Sequence, residues 1–346
     1  MKILTICIPT FNRRDLVLKD VKRYLSVKDE RFYLKIVDNA STDGTFSALK
    51  EFESDPRFVL VENEENIFNI PNQIKALSNN KSEYSLLVLD KDTLNLEILP
   101  SFIDFLEENN PDFGFIDPGC GYKDNVSATH RINYFFEPGI KSLYKMAYLS
   151  KHPTGYFYKS RIFEEAKNSI FYKDVDPMFD FPYELMNSYL SLNYTSVIVE
   201  WPLIIRAAAR GYDDKSKSYS KGALYFDYNH RANYYLEYLR NISLLNVSKC
   251  QRRKLEVKVT KDALLAVSIG LAEYWRDKNS CFHYHIEPRC VTYGEMYGNV
   301  KKIFVLQKEY VKNNSKLPDF IIFDYLYLYF RVFLAFLLDL YPRIKK

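Results

Sequence analysis

"SLLVLDKDTL" (Ser85–Leu94) joins an apolar run to two carboxylates one residue apart. Leu86 to Leu89 are unbroken apolar residues, and Asp90, Lys91 and Asp92 follow at once. In isolation this is a strand ending in a solvated acidic turn. Its meaning depends on its neighbours. Three similar runs precede it, "ILTICI" (3–8), "YLKIVD" (33–38) and "FVLVEN" (58–63), and the fourth run is "YSLLVL" (84–89). Helix-like stretches alternate with them over 12–26, 43–54, 70–78 and 96–109, the first marked by Leu16, Leu18, Val21 and Leu25. Such alternation predicts an α/β fold, a parallel sheet with helices on both sides. The strand runs are continuous and rich in β-branched and aromatic residues, as expected of strands buried on both faces.

Open sheets of this kind bind ligands at the carboxyl ends of their strands, so the residues after each run outline a candidate site. They are Pro9, Thr10, Phe11 and Asn12 after the first, Asp38 to Asp43 after the second, Asn63 and Asn66 after the third, and Asp90 and Asp92 after the fourth. Each has a plain structural alternative: Asn12, Ser41 or Thr42 can cap the next helix. Jointly they place polar and acidic groups along one edge. Side chains at i and i+2 of a strand point to opposite faces, but where the strand breaks into a turn both can converge on one centre. Mg²⁺ and Mn²⁺ take oxygen ligands, commonly one or two carboxylates plus substrate phosphates. A D-x-D at this position therefore suits a metal-bridged nucleotide diphosphate.

The 346 residues allow one large domain or two ordinary ones. Tyr (29) and Phe (25) far outnumber Gly (11), a composition that builds a large aromatic core. A net charge of +4 is too mild to indicate nucleic acid. The five cysteines are dispersed without a C-x-x-C pair, which fits a reducing cytoplasm better than a disulfide framework. "MKILTICIPTFNRRD" has a short apolar run ended by Pro9 and two arginines, and reads as a first strand and not a secretory signal.

Residues 112–160 read as irregular, apart from a strand at "YFFE" (134–137) and a loop entering a short strand at "HPTGYFYKS" (152–160). A helix follows at 182–192 and one or two strands at 195–206. "RGYDDKSKSYSKG" (210–222) is a candidate linker or mobile loop. Beyond it the pattern is helical over 226–245, 254–278 and 294–314. The expected division is a catalytic domain over 1–215 and a helical C-terminal region over 216–346.

"ICIPTFNR", "IVDNASTDGT", "NEENIFNIPNQ" and "LLVLDKD", in this order and spacing over residues 3–95, resemble family 2 glycosyltransferases of the GT-A fold. The resemblance implies a Rossmann-like, mostly parallel central sheet and sugar transfer from a nucleotide-diphosphate donor. Pro9, Phe11 and Asp38 would line the base and ribose pocket with Asn12 beside them, and Asn66 would sit near the uracil or ribose. Asp90 would face the ribose or donor sugar and share the metal site in which Asp92 is the principal ligand of Mn²⁺ or Mg²⁺. Phe11 replaces the usual Tyr, and "NIFNIPN" lacks the usual small residues after Asn66. Asn72 falls near another familiar Asn.

Many members of that family carry a Glu-Asp pair whose carboxylate is the base. Here "PTGYFYKSRIF" matches the preceding segment at Thr154 and Gly155, but "DPMFDFPYELM" (176–186) holds no such pair. An inverting transfer needs a carboxylate within reach of the acceptor hydroxyl. Asp180 ranks first, Glu184 second and Asp176 third. Asp180 can instead serve a helix N-terminus, and Glu184 can be a solvated helix charge. His152 is a candidate donor or acceptor contact and His230 a candidate diphosphate or metal contact, although a lone His is more often a structural residue. Arg206 and Arg210 are candidate diphosphate clamps. "HYHIEPRC" (283–290) has no supporting ligand spacing and reads as structural.

The tail "FIIFDYLYLYFRVFLAFLLDLYPRIKK" (320–346) is long enough to span a bilayer, yet Arg331 would sit near its centre at a cost of about 2.5–3.5 kcal/mol. Two uses remain for the segment 317–346: lying at the inner face of the cell membrane with Tyr at headgroup level, or packing in a helical core or a homo-oligomer contact. The leading expectation is an inverting transferase moving a sugar, UDP-linked, to a hydroxyl of a surface-glycan or lipid-linked acceptor. The alternatives are a catalytically weak GT-A-like scaffold, or a nucleotidyltransferase, against which the Gly-free "PTFNRR" argues.

Overall fold

The computed structural model describes residues 2–117, 131–149, 151–206, 228–276 and 293–344. The proposed linker at 210–222 and "HYHIEPRC" lie outside the described residues. The chain divides into two compact units, Met1–Asp213 and Asp214–Lys346.

The first unit is built on β1 (Leu4–Thr10), β2 (Phe32–Asp38), β3 (Phe58–Glu62), β4 (Tyr84–Leu87), a short β5 (Thr93–Leu94), β6 (Phe113–Asp117), β7 (Ile132–Phe136), β8 (Tyr156–Lys159), β9 (Ser196–Glu200) and a short β10 (Ile204–Ile205). Eight of them form one sheet in the order β3-β2-β1-β4-β8-β6-β9-β7. Neighbours run parallel except around β8, antiparallel to both β4 and β6, and at β7, antiparallel to β9. The sheet is therefore mostly parallel, as expected. Its helices are α1 (Arg14–Leu25), α2 (Thr45–Leu49), α3 (Asn69–Leu77), α4 (Leu99–Asn109), α5 (Ile140–Met146), α6 (Ser160–Asn168) and α7 (Pro182–Asn193).

Alternation along β1 explains the layering. Ile6 and Ile8 join a core with Val17, Val21 and Tyr24 of α1 and Phe102 and Leu106 of α4. Cys7 points the other way, into a core with Ala76 and Leu77 of α3, Phe163 of α6 and Met186 and Leu190 of α7. Cys7 is thus the small core residue its pattern indicates, and burial pushes its thiol up to about 12. β3 departs from the expectation of two-sided burial. It is an edge strand, and Val59 and Glu62 are exposed. The stretch read as irregular holds β6 and α5 as well as the expected β7. Gly114 obscures β6 in the sequence, yet it is required there, since an added Cβ would meet the Phe157 ring and the Val197 carbonyl.

In the second unit, α8 (Tyr228–Leu244), α10 (Tyr293–Asn313) and α11 (Ile322–Ile344) each pack on α9 (Lys249–Arg276). Leu239, Ile242, Leu255, Val259, Ile303 and Leu328 are buried there. Among the described residues no helix is long and apolar enough to cross a membrane.

Candidate active site

The carboxyl ends of β1, β2 and β4 share one edge because these strands are parallel. Two topological facts bring distant residues to that edge. β8 is antiparallel, so its beginning, and not its end, lies beside the end of β4 (Leu86 pairs with Phe157). The Leu89 N–H consequently donates to Thr154 Oγ1 at 3.1 Å. Gly155 makes this approach feasible: its φ is +112°, and an added Cβ would lie 2.7 Å from the Ile116 carbonyl. The second fact is the small ladder in which β10 pairs antiparallel with β5, Ile205 opposite Thr93. One step further along that register sets Arg206 opposite Asp92.

The result is a polar cluster on Asp92, which is 2% exposed, with His152 at its exposed rim. Asp92 Oδ2 accepts from Thr154 Oγ1 at 2.5 Å and from Arg206 Nη1 at 3.1 Å. His152 Nδ1 lies 3.7 Å from the same oxygen and 2.6 Å from Arg206 Nη1. The Thr154 N–H donates to that Nδ1 at 3.3 Å. Burial, and then the adjoining guanidinium, push the His152 imidazole down to about 4, so it is neutral at neutral pH. Asp90 faces other partners: Thr10 Oγ1 donates to its Oδ2 at 3.0 Å and Arg13 Nε lies 3.2 Å from it. The two carboxylates of the D-x-D are therefore each matched with a different arginine. Lys91, between them, is half-buried.

The neighbouring loops are held by short polar side chains. Asp38 is fully buried and accepts from the Ser41 N–H at 2.9 Å and Ser41 Oγ at 2.5 Å. Burial raises its carboxyl above the ordinary range. Asn12, in left-handed conformation at φ 52°, caps no helix; its Oδ1 accepts from the Thr42 N–H at 2.7 Å and ties the two loops together. Asn39 Nδ2 donates to Asn66 Oδ1 at 2.8 Å, while Asn63 Nδ2 reaches Asn39 Oδ1 at 2.8 Å and Asn72 Oδ1 at 2.9 Å. Pro9 lies buried in β1, whereas Phe11 just beyond it is exposed.

This asparagine cluster exposes a residue that sequence reasoning did not single out. Phe68 has φ 68° and ψ 174°, a conformation proper to glycine. It is held there from both sides, its N–H donating to Asn66 Oδ1 at 2.8 Å and its carbonyl accepting from Asn39 Nδ2 at 3.3 Å. Its ring is 56% exposed. The absence of small residues after Asn66 was the available signal.

The base candidates separate. α7 leads into β9, which runs in the direction of β4, so α7 begins at the site edge and Asp180 precedes its first turn, half-buried. Glu184 lies one turn inside and is buried. It accepts from the Leu149 N–H at 2.8 Å, the Lys151 N–H at 3.0 Å and the Tyr156 hydroxyl at 3.1 Å. Asp176 is exposed, and its carboxylate accepts from the Met178 N–H at 2.9 Å. His230 contacts Tyr234 within α8.

The mostly parallel sheet with flanking helices is a GT-A-like fold. The family model for glycosyl transferase family 2 matches residues 5–170, and this segment belongs to that family. No curated protein matches the chain significantly. Among solved structures, S. aureus TarS 1–349 in complex with UDP aligns at 14% identity and TM-score 0.53, over 89% of this chain and 92% of that one. The same TarS fragment with UDP-GlcNAc aligns at 15% identity, TM-score 0.53 and the same coverage. A longer TarS structure gives 13% identity and TM-score 0.54; there the alignment covers 90% of this chain but 54% of the other. At such identities the likeness is one of fold, and it extends beyond the family segment into the helical region.

Proposed function

We propose that the chain is an inverting glycosyltransferase that uses a nucleotide-diphosphate sugar, with UDP as the nucleotide, and a hydroxyl of a surface glycan or lipid-linked acceptor. The observation that carries this reading is the cluster on Asp92, in which a carboxylate, a neutral imidazole and an arginine meet at the carboxyl edge of a family 2 sheet. Arg206 and Arg13 are placed to meet the negative charge of a diphosphate, and preorganised cations at a departing group lower the barrier to its leaving. Phe11 and Phe68, both exposed, would offer ring faces for the base, with Asp38 and Asn66 beside them.

Mn²⁺ or Mg²⁺ fits the donor set. Among the described residues no three His, Cys, Asp or Glu side chains stand close enough to hold an ion alone. Such ions are commonly held by one or two carboxylates with phosphates completing the shell. Asp92 would hold the ion, with His152 as a second donor and Asp90 on the ribose side. A bound ion would add Lewis-acid stabilisation of the diphosphate. Arg206 would be available to the phosphates once the ion shared Asp92.

Asp180 takes the proton of the acceptor hydroxyl as its oxygen attacks the donor C1. The new C1–O bond forms on the face opposite the diphosphate, whose oxygen leaves with the bonding pair. The three donors on Glu184 favour a role in supporting Leu149 and Lys151, which supports Asp180 as the base in this reading. A cytoplasmic enzyme at the inner membrane face would meet both a soluble donor and a lipid-linked acceptor. Transfer and hydrolysis assays with a panel of nucleotide sugars and Mn²⁺ test the reading, together with calorimetry of UDP and GDP. Turnover of a UDP-sugar is expected; failure to bind any nucleoside diphosphate overturns the proposal.

A further inference from the structure

The outward face of α11 is apolar from Ile322 to Phe333. Ile322 and Phe323 are 71% and 72% exposed, and Leu326, Tyr327, Phe330 and Phe333 are also exposed. At 100° per residue these positions share one side of the helix. Leu328 and Val332, on the opposite side, are buried, and Phe304 of α10 packs on Tyr325 and Tyr329. The charges that count against a buried helix do not lie on the outward face. Asp324 faces Arg253 of α9, 3.8 Å away, and accepts from the Ile321 N–H at the helix start. Arg331 is half-buried on the flank. An exposed apolar stripe of this size on one helix marks an interaction surface.

Charge identifies the occupant. Residues 214–346 carry 23 Lys and Arg against 13 Asp and Glu, net +10, whereas residues 1–213 carry 25 against 31, net −6. In sequence the stripe is bracketed by Lys312 and Lys316 before it and by Arg343, Lys345 and Lys346 after it. A symmetric contact between two copies would bring two regions of net +10 together, and like charge opposes that association. An anionic bilayer presents the opposite sign and an apolar layer beneath it. The helix is not apolar enough to cross, so the fitting geometry is an interfacial one, with the rings below the headgroups and the helix along the surface.

We propose that the outward face of α11 docks the protein on the surface of an anionic phospholipid bilayer. The inference stands apart from the transferase reading, since binding is measured without donor or acceptor. The test is flotation of the full chain with vesicles of phosphatidylglycerol and phosphatidylcholine in equal parts, beside vesicles of phosphatidylcholine alone. The wild type is expected to float with the anionic vesicles and to be released by high salt. The triple variant F323S/L326S/F330S changes only outward side chains. It is expected to keep its cooperative melting transition and to lose vesicle affinity by about a hundredfold or more. Sedimentation of both proteins without lipid completes the set. Three results each overturn the proposal: wild-type protein that does not float, a triple variant that floats equally, or a dimer that the triple variant dissolves while the wild type ignores vesicles.

Discussion

Asp92 in the sheet unit and Glu256 in the helical unit are both carboxyl groups removed from water, and their surroundings differ in kind. Asp92 has Arg206 and Thr154 on one oxygen and a histidine nearby. Glu256 on α9 has an amide of Gln307 at 2.8 Å on one oxygen, while the other has no hydrogen-bond partner. Burial, reinforced by Asp319 and Asp324, pushes Glu256 up to about 8. Under the proposed function, the carboxylate matched with cations at the strand edge would exchange those partners for a ligand. One without a cation is kept neutral by its protein and belongs to the core.

The largest expected effect is on the first of these groups. Asp92→Asn should reduce turnover by about a hundredfold to a thousandfold and abolish Mn²⁺-dependent UDP binding, read by calorimetry. An Asp92→Asn enzyme with normal turnover would place Asp92 with Glu256, as a structural group.

The same distinction applies within α7. Asp180→Asn should lower kcat by about a hundredfold or more with an unchanged melting temperature. Glu184→Gln should instead cost about 1–3 kcal/mol of stability in a denaturant titration, because an amide cannot accept from all three of its present donors. The opposite outcome would transfer the base role to Glu184.

Glu256 supplies a pH test of intermediate size. Its folded pKa of about 8 exceeds the ordinary value of 4.5, so the folded state binds the proton more tightly. Stability from this group is full below 4.5 and declines as pH rises toward 8. Glu256→Gln removes that dependence. The melting temperature of the variant should gain on the wild type across this window and hold a constant lead above it. A lead that does not change with pH would show that Glu256 is not a neutral core group.

The smallest effect concerns Phe68. Phe68→Gly relieves a strained backbone but loosens the unfolded chain, so stability should change by less than about 1 kcal/mol. UDP affinity should fall about tenfold as a stacking face is lost. Unchanged affinity would leave Phe68 outside the base pocket.

Much of the first unit was legible because its cause is local. The first four strands and their helices follow from apolar periodicity, and "LDKD" stands out because two carboxylates end a buried strand. β6 was hidden by Gly114, which lacks the side chain that would extend the pattern, and α6 by the short spacing between it and β8. The partition of Asp90 and Asp92 between two arginines was also out of reach. Arg206 is 114 residues from Asp92, and only the β5–β10 register joins them.

Sequence alone determined the α/β order of the first unit, the edge on which polar residues collect, and the apolar character of the tail. These are set by residues within a strand or turn of one another. Tertiary structure decided that β8 runs backward and carries Thr154 and His152 to that edge, that Glu184 is spent on a loop, and that the apolar face of α11 points outward. Each depends on strand direction or on which surface meets the core, and neither is encoded in local periodicity.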